Sequence, residues 1–394
     1  MKIHKMICLT FASGVLLCGG LRAQTIDEVL RSVAQHNKEL QARQEWDKAS
    51  ALELQTRNNL EDPSVEYSPF FTRGISGMSS SELVVTQGFD FPTLYAARRS
   101  SNRLQQEAID SRRLSLRRNI LLQAKELCLE LIRLNRQQVL LEERAKNADE
   151  LLLLFEKRLE EGDAGILEVN KIKMERMNVQ TEVATNQAAH RTALQSLLAL
   201  NGNMPLTFAQ SDYPAMPLPP DYNTLRDEVM ASDADLRAMD ASARAAEKEV
   251  SVSRQGWLPR IEIGYRRNTS LDEKSNGFLV GGSFPLFSNR KKTRMARAQA
   301  IGTQLQRDAV RIEAEAAIQS RYNEAAQLQA ALKAYDVPLM HHTLALLKEA
   351  VKAGKLSVIE YYMEAGSIYE KHQAYNDLEC RYQKLMADIY RNRL

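Results

Sequence analysis

Two carboxylates stand at matching places in this chain: Glu168 lies six residues after Gly162, and Glu360 six residues after Gly354. A glycine that ends one helix, followed by an acid that opens the next, is chemistry of charge placement rather than of bond making. The helix dipole favours a negative side chain in a first turn, so a solvated capping acid is one reading of each. The remaining reactive residues are sparse. His341 and His342 are adjacent, and neighbouring helix positions point about 100° apart, a poor arrangement for one metal ion. Cys128 and Cys380 are isolated within helical segments and read as buried small apolar residues, while Met174 and Met177 read as core. No phosphate-cradling glycine loop, nucleophile elbow or metalloprotease helix occurs. The residues point away from an enzyme and imply no cofactor and no metal.

What places the two acids is a pattern written twice. "EDPSVEY" at Glu61 is echoed by "WLPRIEIGY" at Trp257, "QGFDFPTLYAARRS" at Gln87 by "GGSFPLFSNRKKTR" at Gly281, and "FEKRLEEGDAGILEV" at Phe155 by "LKEAVKAGKLSVIEY" at Leu347. Each half has one grammar. A helical segment (Ile26 to about Leu60; Tyr222 to about Trp257) is stopped by a proline, and two strand-like segments follow. A very long helical segment comes next (Thr93–Glu161; Leu286–Ala353), broken at a glycine, and then a shorter one (Ile166–Leu200; Leu356–Arg391). The long segments would run about 100 Å, and in each half the two shorter helices together match the long one in length. Leu127, Leu131 and Leu134 recur at the four-three spacing of packed helices. The expected organisation is a signal peptide at 1–23, a first repeat at 24–203, a Pro-rich linker at 204–221 and a second repeat at 222–394.

The start of the chain reads as an export signal: Lys2 and Lys5, the apolar run Ile7–Leu17, and small residues ending at Ala23. Cys18 invites a lipoprotein reading, but Leu17 occupies the place where acylation wants a small residue. Removing Met1–Ala23 takes away three cations and no acid, so the formal net charge falls from +3 to 0. A nucleic-acid binder would show a basic excess instead. No later run is long enough for a membrane helix, so any insertion must use strands.

The strands fit that role. Val65, Tyr67 and Phe71 share one face of the first; Leu83, Val85 and Phe89 of the second; Ile261, Ile263 and Tyr265 of the third; Phe278, Val280 and Phe284 of the fourth. Period-two alternation suits tilted strands with lipid on the apolar side and water on the other, and suits soluble hairpins with one buried face equally well. Four strands cannot close a barrel, and open edges in lipid cost several kcal/mol per unpaired group, on the order of a lost hydrogen bond or more. Copies must therefore pool strands. Two copies would give eight, filled by side chains; three would give twelve, wide enough for solute. Pro92 and Pro285 are expected at the first position of a helix, where a missing N–H costs nothing. The basic clusters behind them, Arg98–Arg99 and Arg290–Lys292, are expected near lipid headgroups.

On these duplicated strand-proline-helix junctions and the "GDAGILEV" and "GKLSVIEY" turns, the chain resembles the TolC-type outer-membrane efflux proteins, from Thr25 to about Arg391. The resemblance implies a mainly α fold with a small membrane β part. Long coiled helical hairpins would form an α-barrel tunnel in the periplasm, and four strands per chain would enter a shared trimeric 12-stranded β-barrel in the outer membrane. It implies a homotrimer in outer-membrane lipid, a periplasmic adaptor and an inner-membrane pump as partners, and no nucleic acid. It places Glu168, Glu360 and Glu364 at the tunnel entrance, and adaptor contact on Gly162, Ile166, Leu167, Gly354, Leu356 and Val358. Met363 stands where drug-exporting relatives carry a further acid, and Val351 and Leu356 stand where they carry a latching tyrosine and arginine. The function implied is a passive channel of a tripartite efflux or secretion system. The alternative is a soluble periplasmic scaffold of helical hairpins without a pore.

Overall fold

Prolines, glycines and a few buried polar side chains decide where the helices of this chain start and stop. The computed structural model describes residues 24–215 and 221–394. The expected signal peptide, with Cys8 and Cys18, lies outside the described residues, as do linker residues 216–220.

The chain begins with α1 (Ile26–His36), opened by a reciprocal cap between Thr25 and Glu28, and α2 (Lys38–Thr56). The expected single helix is thus divided at Asn37. This residue is buried; its side chain accepts from the Leu40 N–H at 2.9 Å and donates to the Leu200 carbonyl at 2.8 Å. A side chain that caps α2 and reaches another helix holds its own backbone extended. The second half repeats the device: α5 (Tyr222–Ser232) and α6 (Ala234–Gln255) meet at buried Asp233, which accepts from the N–H groups of Asp235 and Leu236 and pairs with Arg391 at 3.1 Å.

The strands are β1 (Ser64–Phe70), β2 (Ser80–Phe89), β3 (Arg260–Ser270) and β4 (Lys274–Ser283), an antiparallel meander in the order β1-β2-β3-β4. It is not closed: β1 and β4 are edges. The helices continue the order of the strands. After β2, α3 (Pro92–Glu160) runs unbroken for 69 residues. After β4 comes a turn-rich stretch and then α7 (Lys292–Leu332) and α8 (Val337–Lys352). Near the sheet α2 packs on α3, α3 on α6 and α6 on α7, so α2-α3-α6-α7 mirrors β1-β2-β3-β4. The principal partner of upper α3 is therefore α6 from the other half, through a seam of small residues at Ala238, Ala241 and Ala245. Farther from the sheet α4 (Ile166–Leu200) packs on α3, and α9 (Val358–Ile389) on α3, α7 and α8. A short turn, Arg391–Arg393, closes the chain.

The core follows α3. Midway, Leu129, Leu131 and Ile132 meet Val29 and Val33 of α1 and Leu197 of α4; toward the far end, Leu151 and Phe155 meet Val169, Ile172, Val351 and Tyr361. Cys128 and Cys380 are free and buried, and burial pushes the Cys128 thiol up to about 12, so both pack as apolar groups. Among the described residues no helix is long and apolar enough to cross a membrane.

Two expectations about helix starts divide. Pro92 does sit at the start of α3 behind the cap residue Phe91. Pro285 does not start α7, which begins at Lys292: the chain turns through 286–291, with Asn289 donating to the Gly256 carbonyl and Lys291 at φ 70°. The long second helix is also divided. Asp336 accepts from the Leu339 N–H at 2.9 Å, and Pro338 has no N–H to continue the helix from α7.

Candidate functional site: the helical turns and the apolar sheet face

At the end farthest from the sheet the two turns are built alike. Gly162 and Gly354 take left-handed backbones, φ 83° and 68°, which a residue without Cβ adopts freely. In the first turn the Asp163 N–H reaches back to the Arg158 carbonyl at 2.7 Å and that of Gly162 to Leu159 at 3.2 Å. In the second, Lys355 reaches Ala350 at 2.9 Å and Gly354 reaches Val351 at 3.2 Å. Both are the paired 6→1 and 5→2 closures that satisfy the last carbonyls of a helix.

The next helices open with acids at their third positions. The Gly165 N–H donates to Glu168 Oε2 at 3.0 Å. The Ser357 N–H donates to Glu360 Oε2 at 3.0 Å, its hydroxyl donates to the same oxygen at 2.8 Å, and it accepts from the Glu360 N–H at 3.2 Å. The side-chain hydrogen bond from Ser357, with help from its backbone N–H, holds the Glu360 carboxyl below its usual range. Both acids therefore have a local capping task. Glu360 and Glu364 are exposed and Glu168 is half-exposed, so capping leaves their charge open to solvent.

The residues expected to meet a partner divide. Gly162 and Gly354 are exposed, as are Ile166 and Leu167 at 56% and 75%. Leu356 is half-buried against the apolar cluster at this end. Val358 is corrected: it is fully buried in that cluster, beside Val351 and Tyr361, and is a packing residue. The exposed neighbours are Ile359 and Met363, 50% and 67% exposed. Val351 is also fully buried, so the two positions lacking the latch residues are apolar core and its margin. The α8–α9 hairpin is held to α3 by other groups: Lys348 and Lys352 both pair with Glu150, at 3.0 and 3.1 Å, and Arg158 donates to the Lys352 carbonyl at 2.6 Å.

At the other end the strand register sorts the side chains. Val65 lies opposite Val85, Val85 opposite Tyr265, and Tyr265 opposite Phe278. Tyr67 lies opposite Leu83, Phe89 opposite Ile261, and Ile263 opposite Val280. Adjacent strands put facing partners on one side, so ten of the twelve predicted apolar residues share a face. Phe71 and Phe284 lie one residue beyond β1 and β4 and continue its margins. Phe278 is 91% exposed and Val280 79%: the chain's own helices leave them uncovered. The reverse face is polar. Glu82 pairs with Arg266 at 2.8 Å, Ser64 meets Thr86 at 2.6 Å, and Arg260 pairs with Asp90 at 3.1 Å and with Glu61.

One contact was invisible in the sequence. His341 does not act with His342; its Nε2 lies 3.2 Å from Nε2 of buried His372, across the α8–α9 seam. Among the described residues no three His, Cys, Asp or Glu side chains gather to hold a metal ion.

The chain is a set of long helical hairpins carrying an unclosed sheet, apolar on one face and charged on the other. Residues 225–391 match the family model of the outer membrane efflux proteins. Over 102 residues, 25% of this chain, it is 33% identical to the nickel and cobalt resistance protein CnrC of Cupriavidus metallidurans; the match spans 24% of that relative's length. The outer membrane protein VceC of Vibrio cholerae has a similar fold, with TM-score 0.74 and 18% identity over 93% of this chain and 95% of that one. So does the outer membrane channel CmeC of Campylobacter jejuni, with TM-score 0.73 and 13% identity over 93% and 85%. The family match thus covers the second half of the chain, and the likeness to the two solved proteins is one of fold.

Proposed function

We propose that three copies of this chain form a passive channel, the outer-membrane part of a tripartite efflux or secretion system, without enzymatic activity. The carrying observation is the open sheet. Its edges, β1 and β4, leave ladder groups unpaired, which lipid does not tolerate, while Phe278 and Val280 have no cover except lipid. Pooling three such sheets closes a cylinder of twelve strands, with the Glu82–Arg266 side toward water. The helices support the same closure, because the outer helices of the layer carry exposed apolar residues: Trp46 and Leu52 on α2, Ile301, Leu305 and Ile312 on α7. One copy's α7 against the next copy's α2 would bury both.

In that assembly Glu168, Glu360 and Glu364 ring the tunnel entrance. Ile166, Leu167 and Ile359 at the turns are the surface offered to a periplasmic adaptor, and through it to an inner-membrane pump. The pump drives transport and selects the cargo. Heat-sensitive trimers from an outer-membrane fraction, with conductance in planar bilayers, are the expected result; a monomer that stays soluble without detergent would instead establish the poreless scaffold. The entrance is tested separately. Glu168→Gln with Glu360→Gln should lower the cation preference of single channels severalfold, and an unchanged preference would reject the acid ring while leaving the pore intact.

A further inference from the structure

The two places where a strand hands over to a long helix have diverged in charge as well as backbone. At the first, α3 starts three residues after β2 ends, Leu94 is buried, and Arg98 is neutralised by Asp90 at 2.7 Å, which leaves Arg99 as the one exposed cation of that pair. At the second, eight residues separate β4 from α7. Phe284, Leu286 and Phe287 are 70%, 66% and 85% exposed, and Arg290, Lys291, Lys292 and Arg294 are all exposed. None of these four cations makes an ion pair among the described residues. Asn289 ties the loop to the Gly256 carbonyl, so the loop is fixed beside Trp257, itself 47% exposed.

We infer that this second junction is a binding site for an anionic phospholipid of the periplasmic leaflet, four unpaired cations standing where the first junction offers Arg99 alone beside its paired Arg98. The inference rests on the sheet being in lipid, as proposed above. The loop continues the margin of the sheet's apolar face through Phe284, so acyl chains bordering Phe278 and Val280 run down onto Leu286 and Phe287. The four cations then lie at headgroup depth, where uncompensated Lys and Arg draw anionic lipids. A zwitterionic headgroup would leave their charge unanswered. A glycerophosphate headgroup carrying a net negative charge answers it, and the aromatic-plus-basic pattern is that of an interfacial anchor.

Trp46 and Trp257 are the chain's two tryptophans, so a Trp46→Phe background makes Trp257 a local reporter. The full-length protein would be reconstituted into mixed phosphatidylethanolamine and phosphatidylglycerol vesicles in which one lipid or the other carries brominated, quenching chains. Quenching per brominated lipid should be about twofold or more stronger with brominated phosphatidylglycerol. Arg290→Gln, Lys291→Gln, Lys292→Gln and Arg294→Gln together should equalise the two lipids, whereas Arg98→Gln should leave the difference in place. Equal quenching in the unsubstituted protein, the outcome if a neighbouring copy covers the loop, overturns the site. A preference that survives the fourfold variant overturns its assignment to these cations. No quenching by either lipid likewise overturns the site, whereas a protein that stays soluble without detergent and does not enter the vesicles overturns the membrane reading itself.

Discussion

The first half of the chain carries its long helix unbroken from the sheet to the far turn, whereas the second divides the same span into α7 and α8. The difference follows from single residues. Where α3 runs on through Ala145, the second half has Asp336 to cap a new helix and Pro338 to forbid continuation. The turns below are copies in backbone, yet Ile166 is exposed where its counterpart Val358 is fully buried. Duplication has preserved the hinges and caps and released the packing. The α3–α4 hairpin is the fixed element. The α8–α9 hairpin hangs from a break, and the ion pairs at Glu150 join the apolar cluster around Val351 and Tyr361 in holding it to α3.

This contrast can be attacked at several strengths. The largest effect is expected at the matched turn positions. Val358→Asp should loosen its hairpin by about 3–5 kcal/mol, because it buries an unpaired charge, while Ile166→Asp should stay within about 0.5 kcal/mol. Hydrogen exchange of the two hairpins reads both, and equal effects would erase the asymmetry. Next, a proline in α3 should produce the break that the second half already has. Ala145→Pro should cost about 3 kcal/mol or more and raise proteolysis near that site, whereas Pro338→Ala should be nearly silent in the same assay. Smaller again is the tether. Glu150→Gln removes the shared partner of Lys348 and Lys352, and at this half-exposed site should release α8 by about 0.5–1 kcal/mol. Unchanged exchange in α8 would show that packing alone holds it.

The least effect is expected from pH. Burial, then the neighbouring His341, lowers the pKa of His372, and Glu143 and Arg136 of α3 act on it with opposite sign. The unfolded segment therefore takes up the proton first as pH falls below about 6.5, so the contact contributes stability above that pH and loses it on acidification. Exchange in α8 should accelerate from pH 7.5 to 5.5. With His372→Asn that acceleration should shrink, and if it does not, other groups set the response.

Much of this was legible because the deciding residues act locally. Gly162 and Gly354 are needed for φ above zero, the acids six residues later cap the next helix, and the alternating strands declare an apolar face before any partner is known. The failures are tertiary. Asn37 and Asp233 end helices because they are buried against Leu200 and Arg391, residues far away in the chain. The burial of Val358 depends on α8 lying against α3, and His372 gains its partner from another helix. The break at Pro338 is different: the Asp-Val-Pro signal stood in the sequence, overridden by the expectation that the second half would copy the first.

The unbroken α3 has a consequence for how such a molecule can change size. One continuous shaft lies against partners stitched end to end, α6 on one stretch and α4 on another. An insertion of two heptads in the shaft alone would slide every knob below it out of its hole. Relatives of different reach should therefore differ by whole-heptad insertions or deletions in matched pairs, one in the shaft and one in the segment beside it, at the same height.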